Sequence, residues 1–451
     1  MNGRELNREI LRLSVPSILA NITVPIVGMV DTAVAGHLPG GDAAAAIGAV
    51  SLGSTLFTFI YWCFGFLRTG TGGLTAQAFG RGDMRDSARI FMRGIAIAAI
   101  VSVLILSVQL PFIRLAMSVT NGSADVESLA SRYFLTRVWA APATMALMVF
   151  RGWFVGMQDS ISSMWTDLVV NIVNIAASII LALGIGGWSG LGFDGIALGT
   201  VTAQYCGLAY CILTAVFKYR RKVFSTFCLS DFGEILRWRQ MKGFLAMNLD
   251  LFGRSLFFTS IYLGYTMFAA GLGDLQLAVS SIMMQLLMLF SFFTDGFAYA
   301  GEALTGRFIG EKDAAMLHFS VRYIFYWTFG VAAAFVGIYI ACGVPLCRLM
   351  TDDYAVVEAC RAYLPWLILM PPLGCAAFTW DGIYMGATAS KGLLVGMLLA
   401  AAGFYVVWLA GNAILQPDDS TALHILLAAY FTHLLARTSY LTARYRAEIR
   451  V

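Results

Sequence analysis

Apolar positions run along this chain in long unbroken stretches, set apart by short polar intervals, with none of the strict alternation that a half-buried strand shows. A membrane-spanning helix needs roughly 20 apolar residues at about 1.5 Å rise each. Stretches of that kind cover 13–36, 46–67, 90–110, 133–157, 164–184 and 196–217. A second set covers 244–269, 277–300, 324–343, 364–385, 393–410 and 423–441. A transmembrane barrel would show short alternating segments instead. The pattern therefore predicts an all-α polytopic membrane protein with 12 transmembrane helices.

Composition points the same way. Of 451 residues, 59% are hydrophobic and only 12% are charged, with 32 Phe and 20 Met. About a quarter of a soluble domain is charged, so too little polar surface is left here to face water. The first apolar run is too long for a signal-peptide h-region and no small-residue cleavage site interrupts it, so it is expected to stay as helix one.

Arginine and lysine set the orientation. They collect before helix one (Arg4, Arg8, Arg12) and between helices two and three (Arg81, Arg85, Arg89, Arg93). They recur in the central linker (Lys218, Arg220, Arg221, Lys222, Arg237, Arg239, Lys242), after helix eight (Arg307, Lys312, Arg322) and at the end (Arg444, Arg446, Arg450). With twelve spans all of these fall on one side, and the opposite loops hold little beyond Arg114, Arg132, Arg348 and Arg361. Basic loops stay cytoplasmic, so both termini are expected there, in a bacterial inner membrane. The net charge of +4 reflects this bias and implies no nucleic-acid partner.

The two halves repeat at a spacing of about 230 residues, a period that marks duplicated architecture. Pro142, Gly152, Gly156 and Ser160 correspond to Pro372, Gly382, Gly386 and Ser390, and GFLRTGTGGLTAQAFGRGD near helix two matches GFAYAGEALTGRFIGEKD near helix eight. Six spans per half is an even number, so the repeats are parallel, related by an axis along the membrane normal. The expected organisation is an N-terminal six-helix lobe (1–217), a cytoplasmic basic linker (218–242) and a C-terminal six-helix lobe (243–451). The Gly-x-x-x-Gly pairs at Gly152/Gly156 and Gly382/Gly386 let helices approach closely.

Charges inside spans are costly, which makes each a functional hypothesis. Asp31 sits toward the outer end of helix one, with no basic residue nearby on its own helix. A lone carboxylate in a low-dielectric environment is suited to taking up and releasing a proton. Helix five offers Asn171, Asn174 and Ser178 on one face, and helix six offers Thr200 and Gln204. Together with Asp31 they are expected to form a pocket for a proton or a dehydrated Na⁺, though such amides and hydroxyls also serve as interhelical hydrogen-bond partners. Pro25 removes one rung of the helix-one ladder and is either a hinge answering the charge on Asp31 or a fixed kink.

The other charged candidates, Arg68, Arg151, Asp250, Arg254, Asp295, Glu302 and Asp381, lie toward cytoplasmic helix ends. Asp250 and Arg254, spaced i, i+4, are expected to neutralise each other, with Asp381 or Asp295 joining. Arg151 and Asp381 occupy equivalent repeat positions with opposite charge, so they form either a cytoplasmic gate or local pairs. Aromatic and Met residues on helices seven and eight, among them Phe257, Tyr262, Tyr265, Met283, Met284 and Phe290, would give a wall for apolar cations where they face a cleft. The eight cysteines include no C-x-x-C pair, and most read as small apolar packing residues. Cys342, Cys347 and Cys360 fall near the outer ends of helices nine and ten, where a disulfide is open but the sequence selects no pair.

The segments VDTAVAGHLPG, RGWFVGMQDS, NIVNI, GIALGTVTAQY, NLDLFGRS and WDGIYMGATAS resemble the multidrug and toxic compound extrusion (MATE) family, most of all its DinF-like branch, over the whole chain. The resemblance implies a V-shaped pair of six-helix lobes, no cofactor beyond a coupling ion, and export of organic cations or other amphipathic compounds by a monomer in exchange for H⁺ or Na⁺. It gives the coupling role to Asp31, with Asn174 and Thr200 alongside. Related proteins carry Asp one turn after the second Asn of NIVNI, where this chain has Ser178; one carboxylate in place of two favours H⁺. A lipid-linked oligosaccharide flippase of the same superfamily is the alternative, although a strongly basic cleft is not evident. A membrane-embedded enzyme is the remote one, because His37, His318, His424 and His433 show no ligand spacing.

Overall fold

The computed structural model describes residues 2–38, 43–120, 123–226, 238–351 and 353–450. Cys228, Asp231, Glu234 and Arg237 of the central linker lie outside the described residues. The first part of the chain folds as α1 (Gly3–Gly36), α2 (Ala43–Cys63), α3 (Phe66–Gly80), α4 (Met84–Val119), α5 (Ala124–Arg137), α6 (Ala141–Gly156), α7 (Ser160–Leu183) and α8 (Phe193–Thr214). The second part adds α9 (Trp238–Ala270), α10 (Asp274–Glu311), α11 (Ala314–Met350), α12 (Tyr354–Gly386), α13 (Ser390–Leu415) and α14 (Asp419–Glu448). No strand occurs among the described residues, beyond one isolated bridge between Ile185 and Trp188.

Among the described residues, fourteen α-helices make twelve spans because two spans are broken. α2 and α3 run on through a turn at Phe64 and Gly65. α5 and α6 are joined by a single 3₁₀ turn, Val138–Ala140. Pro142 at the start of α6 explains that break, since it has no N–H to offer and its ring crowds the carbonyl four residues back. Among the described residues, ten helical stretches are long and apolar enough to cross a membrane. α9 and α14 fall short of that criterion; α14 carries the buried Arg437 and α9 the partly buried Arg254. Large apolar side chains such as Met29, Phe217, Leu349 and Ile414 are more than two-thirds exposed, an arrangement suited to lipid and costly in water.

The chain divides into two compact units, Leu19–Gly243 and Met1–Ile18 with Phe244–Val451. α1 contributes its start to one unit and its continuation, which carries Pro25 and Asp31, to the other.

The glycine pairs of the repeat do the same job in each unit. A Cβ on Gly152 would lie 2.1 Å from the Arg68 carbonyl oxygen, and one on Gly156 would lie 2.6 Å from that of Gly72, so α6 rests backbone-to-backbone on α3. A Cβ on Gly382 would lie 2.0 Å from the Ala298 oxygen and one on Gly386 2.3 Å from that of Glu302, which seats α12 on α10 in the same way. The turns that follow also match. Gln158 and Thr388, at equivalent positions, both adopt positive φ. Tyr265, Met283, Met284 and Phe290, read above as possible wall residues, are core side chains of the second unit.

Candidate functional site

In the unit Leu19–Gly243, α7 and α8 are antiparallel and touch at their backbones. Gly195 and Gly199 of α8 make this possible, because a Cβ on either would fall within 2.6 Å of Leu181 or Ser178 of α7. The register follows from three contacts. The Asn174 amide donates to Thr200 Oγ1 at 3.0 Å, Ser178 Oγ donates to the Ile196 carbonyl at 3.5 Å, and Gly192 N–H donates to the Ala182 carbonyl at 3.2 Å. Each step of four along α7 is matched by four back along α8.

Asp31 lies at the Ser178 level. It is 4% exposed, it faces the Ser178 hydroxyl, and its Oδ1 has no hydrogen-bond partner. The Asn174 Oδ1 one turn below is buried without a partner as well. Buried acceptors left open in this way call for a reason, and two facing one pocket have capacity for a proton or a cation.

A basic group that the sequence pattern did not single out completes the layer. Arg137, at the end of α5, donates to Tyr133 Oη at 2.8 Å and Ser54 Oγ at 3.2 Å and stacks on Phe57 with 4.8 Å to the ring centroid. Its charge acts on Asp31 without an ion-pair contact. One turn beyond each polar residue stands an apolar one. Val34 and Ala35 follow Asp31, Ala182 follows Ser178, Ile196 and Ala197 precede Thr200, and Tyr133 precedes Arg137; with Val50 they form one buried cluster. The polar layer is thus capped at that end by a dry plug.

Two residues grouped with this pocket from sequence are displaced from it. The Asn171 amide donates to Thr23 Oγ1 at 2.6 Å, two turns along α1 from Asp31. Gln204 sits one turn further along α8 than Thr200, away from Ser178. Their spacing fixed a face of the helix but not the depth.

The charged residues of the other unit form a separate network. Asp381 of α12 pairs with Arg254 of α9 and, at 3.4 Å, with Arg437 of α14. Arg437, 2% exposed, also stacks on Phe378 and feels Asp295. Asp295 accepts from Ser291 at 3.5 Å, and Glu302 is fully buried in the stretch of α10 against which Gly386 of α12 packs. The expected Asp250–Arg254 pair does not form, because Asp250 accepts from Ser390 Oγ at 2.7 Å while Arg254 turns to Asp381. Arg151 is paired at 2.7 Å with Asp167 of α7 in its own unit, and Asp381 with Arg254 and Arg437 in its own, so each has a local ion-pair partner.

A model of the MatE family matches residues 16–180 and 251–409. The chain belongs to the MATE family. Among the relatives it is similar to, the DNA damage-inducible protein F of Escherichia coli K12 is 33% identical over 90% of this chain and 88% of its own length. A probable multidrug resistance protein NorM of Photorhabdus laumondii is 24% identical over 93% and 89%. Solved structures agree in fold. A multidrug resistance MATE family transporter in an outward-facing conformation superposes with a TM-score of 0.83 at 17% identity, covering 99% of this chain and 97% of that one. A MATE in the bent conformation gives 0.82 at 18%, covering 98% and 95%. The MATE assignment makes this a multi-pass membrane transporter of multidrug or toxic-compound type rather than an enzyme.

Proposed function

We propose that this protein is a secondary antiporter that exports organic cations or other amphipathic toxic compounds by alternating access, in exchange for H⁺, with Asp31 as the coupling group. The observation that supports it best is the buried Asp31 carboxylate with one oxygen open, in a pocket whose other charge is Arg137. Asn174, Ser178 and Thr200 furnish the rest of the pocket.

The charge count favours the proton over Na⁺. An ionised Asp31 and Arg137 together carry no net negative charge, whereas a bare Na⁺ in low dielectric needs charge and several oxygen ligands to replace its water. Ser178 adds one neutral oxygen where a second carboxylate would have added charge. A proton needs neither, since it converts the carboxylate itself. Pro25 lies on α1 between the part that packs in one unit and Asp31 in the other, so a change of charge at Asp31 has a weakened stretch of helix to act on. The basic loops support an orientation with both termini cytoplasmic in a bacterial inner membrane, and we read the protein as a monomer.

The test is transport of a fluorescent organic cation in membrane vesicles with the pH and Na⁺ gradients imposed separately. A pH gradient is expected to drive efflux and a Na⁺ gradient alone to leave it unchanged. Asp31→Asn is expected to abolish the pH-driven component while the protein remains folded and inserted. Exchange at the normal rate by Asp31→Asn overturns the coupling role, and efflux driven by Na⁺ alone overturns the choice of ion.

A further inference from the structure

α11 and α12 form an antiparallel hairpin with a tight tip. α11 ends at Met350 and α12 begins at Tyr354, with Asp353 capping the first N–H groups of α12. The two arms come close where Gly343 meets Leu364; a Cβ on Gly343 would lie 2.9 Å from the leucine side chain. One turn nearer the tip on each arm stands a cysteine. Cys347 is four residues after Gly343 and Cys360 four residues before Leu364, so antiparallel register sets them opposite each other. Their side chains interact directly. Each is 1% exposed within the same core cluster.

We propose that Cys347 and Cys360 form an intrachain disulfide that ties the tip of this hairpin. Register and burial place one thiol opposite the other across the hairpin, the arrangement from which a disulfide forms. Proline gives the bond a structural purpose. Pro345 lies inside α11 two residues before Cys347, and Pro365 lies inside α12 five residues after Cys360. Each removes a backbone hydrogen bond from its arm, so the tip depends on side-chain ties more than the rest of the hairpin does.

The proposal rests on the orientation given above, which puts the tip on the outer face, in an oxidising compartment. The reaction is thiol–disulfide exchange with a disulfide-carrying thiol oxidase. One cysteine thiolate attacks the oxidant's disulfide and releases one oxidant sulfur as a thiol. The second cysteine then attacks the mixed disulfide, forming the Cys347–Cys360 bond and releasing the oxidant as a dithiol, so two protein thiols lose two protons and two electrons to it. Because both sulfurs are buried once the hairpin is packed, the bond forms as the tip emerges.

The test uses the full chain in the membranes of a bacterial host. Cells are acid-quenched and the protein is denatured and alkylated with N-ethylmaleimide, with or without prior reduction, then digested for mass spectrometry. The expected result is roughly tenfold more label on Cys347 and Cys360 after reduction than before, a cross-linked peptide joining them in the unreduced sample, and equal label on exposed Cys342 in both. Cys347→Ser is expected to leave Cys360 fully labelled without reduction. A reporter fused after the last residue reads the orientation independently. Full labelling of both cysteines without reduction overturns the disulfide if the reporter lies inside. If the reporter lies outside, the same labelling overturns the orientation and the disulfide together.

Discussion

Asp381→Asn isolates what holds the second unit's charges together. Asparagine keeps the volume of the side chain and removes its charge, leaving Arg254 and Arg437 facing each other across a neutral amide. The side chains of Asp381, Arg254 and Arg437 are 12%, 15% and 2% exposed, so water screens the interaction little. Breaking a buried ion pair by removing one partner costs about 3–5 kcal/mol, because the surviving charge is left uncompensated. Two arginines survive here, which pushes toward the upper end, while Asp295, whose charge reaches Arg437, pulls back toward the lower. The expected cost is therefore about 3–4 kcal/mol. Arg437→Met in the Asp381→Asn background removes the stranded cation, keeps apolar contact with Phe378, and is expected to recover about half of the loss. The assay is reversible SDS titration in mixed micelles of the wild type, the two single variants and the double, read as a double-mutant cycle. A cost below about 1 kcal/mol for Asp381→Asn, or a coupling energy under about 0.5 kcal/mol, refutes the view that this network is a mutually neutralised buried cluster.

Two further predictions concern the joints of the fold. Gly152→Ala and Gly382→Ala each drive a Cβ to within 2.1 Å and 2.0 Å of a backbone oxygen, so each is expected to cost about 1–3 kcal/mol or more in the same titration. Gly337→Ala, with open space around it, is the control, expected to be neutral or stabilising by up to about 1 kcal/mol. Asp159 caps α7 and accepts from Lys218 Nζ, Tyr219 Oη and Ser162 Oγ, each at 2.6 Å. Burial alone would raise its pKa, but these bonds outweigh burial and hold the carboxyl below the usual carboxylate range. Its stabilisation is then present above the unfolded carboxylate pKa of about 4 and is lost as pH falls through the lower folded value. Asp159→Ala is expected to cost about 0.5–2 kcal/mol at pH 7 and to flatten the acid limb of stability measured from pH 5 downward; an unchanged acid limb counts against it.

The spans and the repeat were legible because what specifies them is local. Twenty apolar residues make a span wherever they fall, and a glycine that must let a backbone pass looks the same at position 152 as at 382. Asp31 stood out for a similar reason, as an isolated acid in an apolar run. Depth and partnership were a different matter. The i, i+3, i+7 spacing of Asn171, Asn174 and Ser178 fixes a face, but only the slide of α7 against α1 decides that Ser178 meets Asp31 while Asn171 meets Thr23 two turns away. The i, i+4 spacing of Asp250 and Arg254 suggested a pair, and on a solvated helix that geometry gives a weak one. Inside a bundle a guanidinium gains more from a carboxylate aimed at it from another helix, and Arg254 turns to Asp381. Arg137 and Arg437 went unmarked although both lie in apolar stretches, because the acids they act on, Asp31 and Asp381, lie far away in sequence. The consequence falls on the coupling ion. Whether a pocket prefers H⁺ or Na⁺ depends on its net charge, and in this pocket that sum takes Asp31 from α1, Arg137 from α5 and the neutral Ser178 from α7. No pattern along one helix contains it, so Ser178 alone argued for the proton weakly, and Arg137 supplies the stronger physical reason.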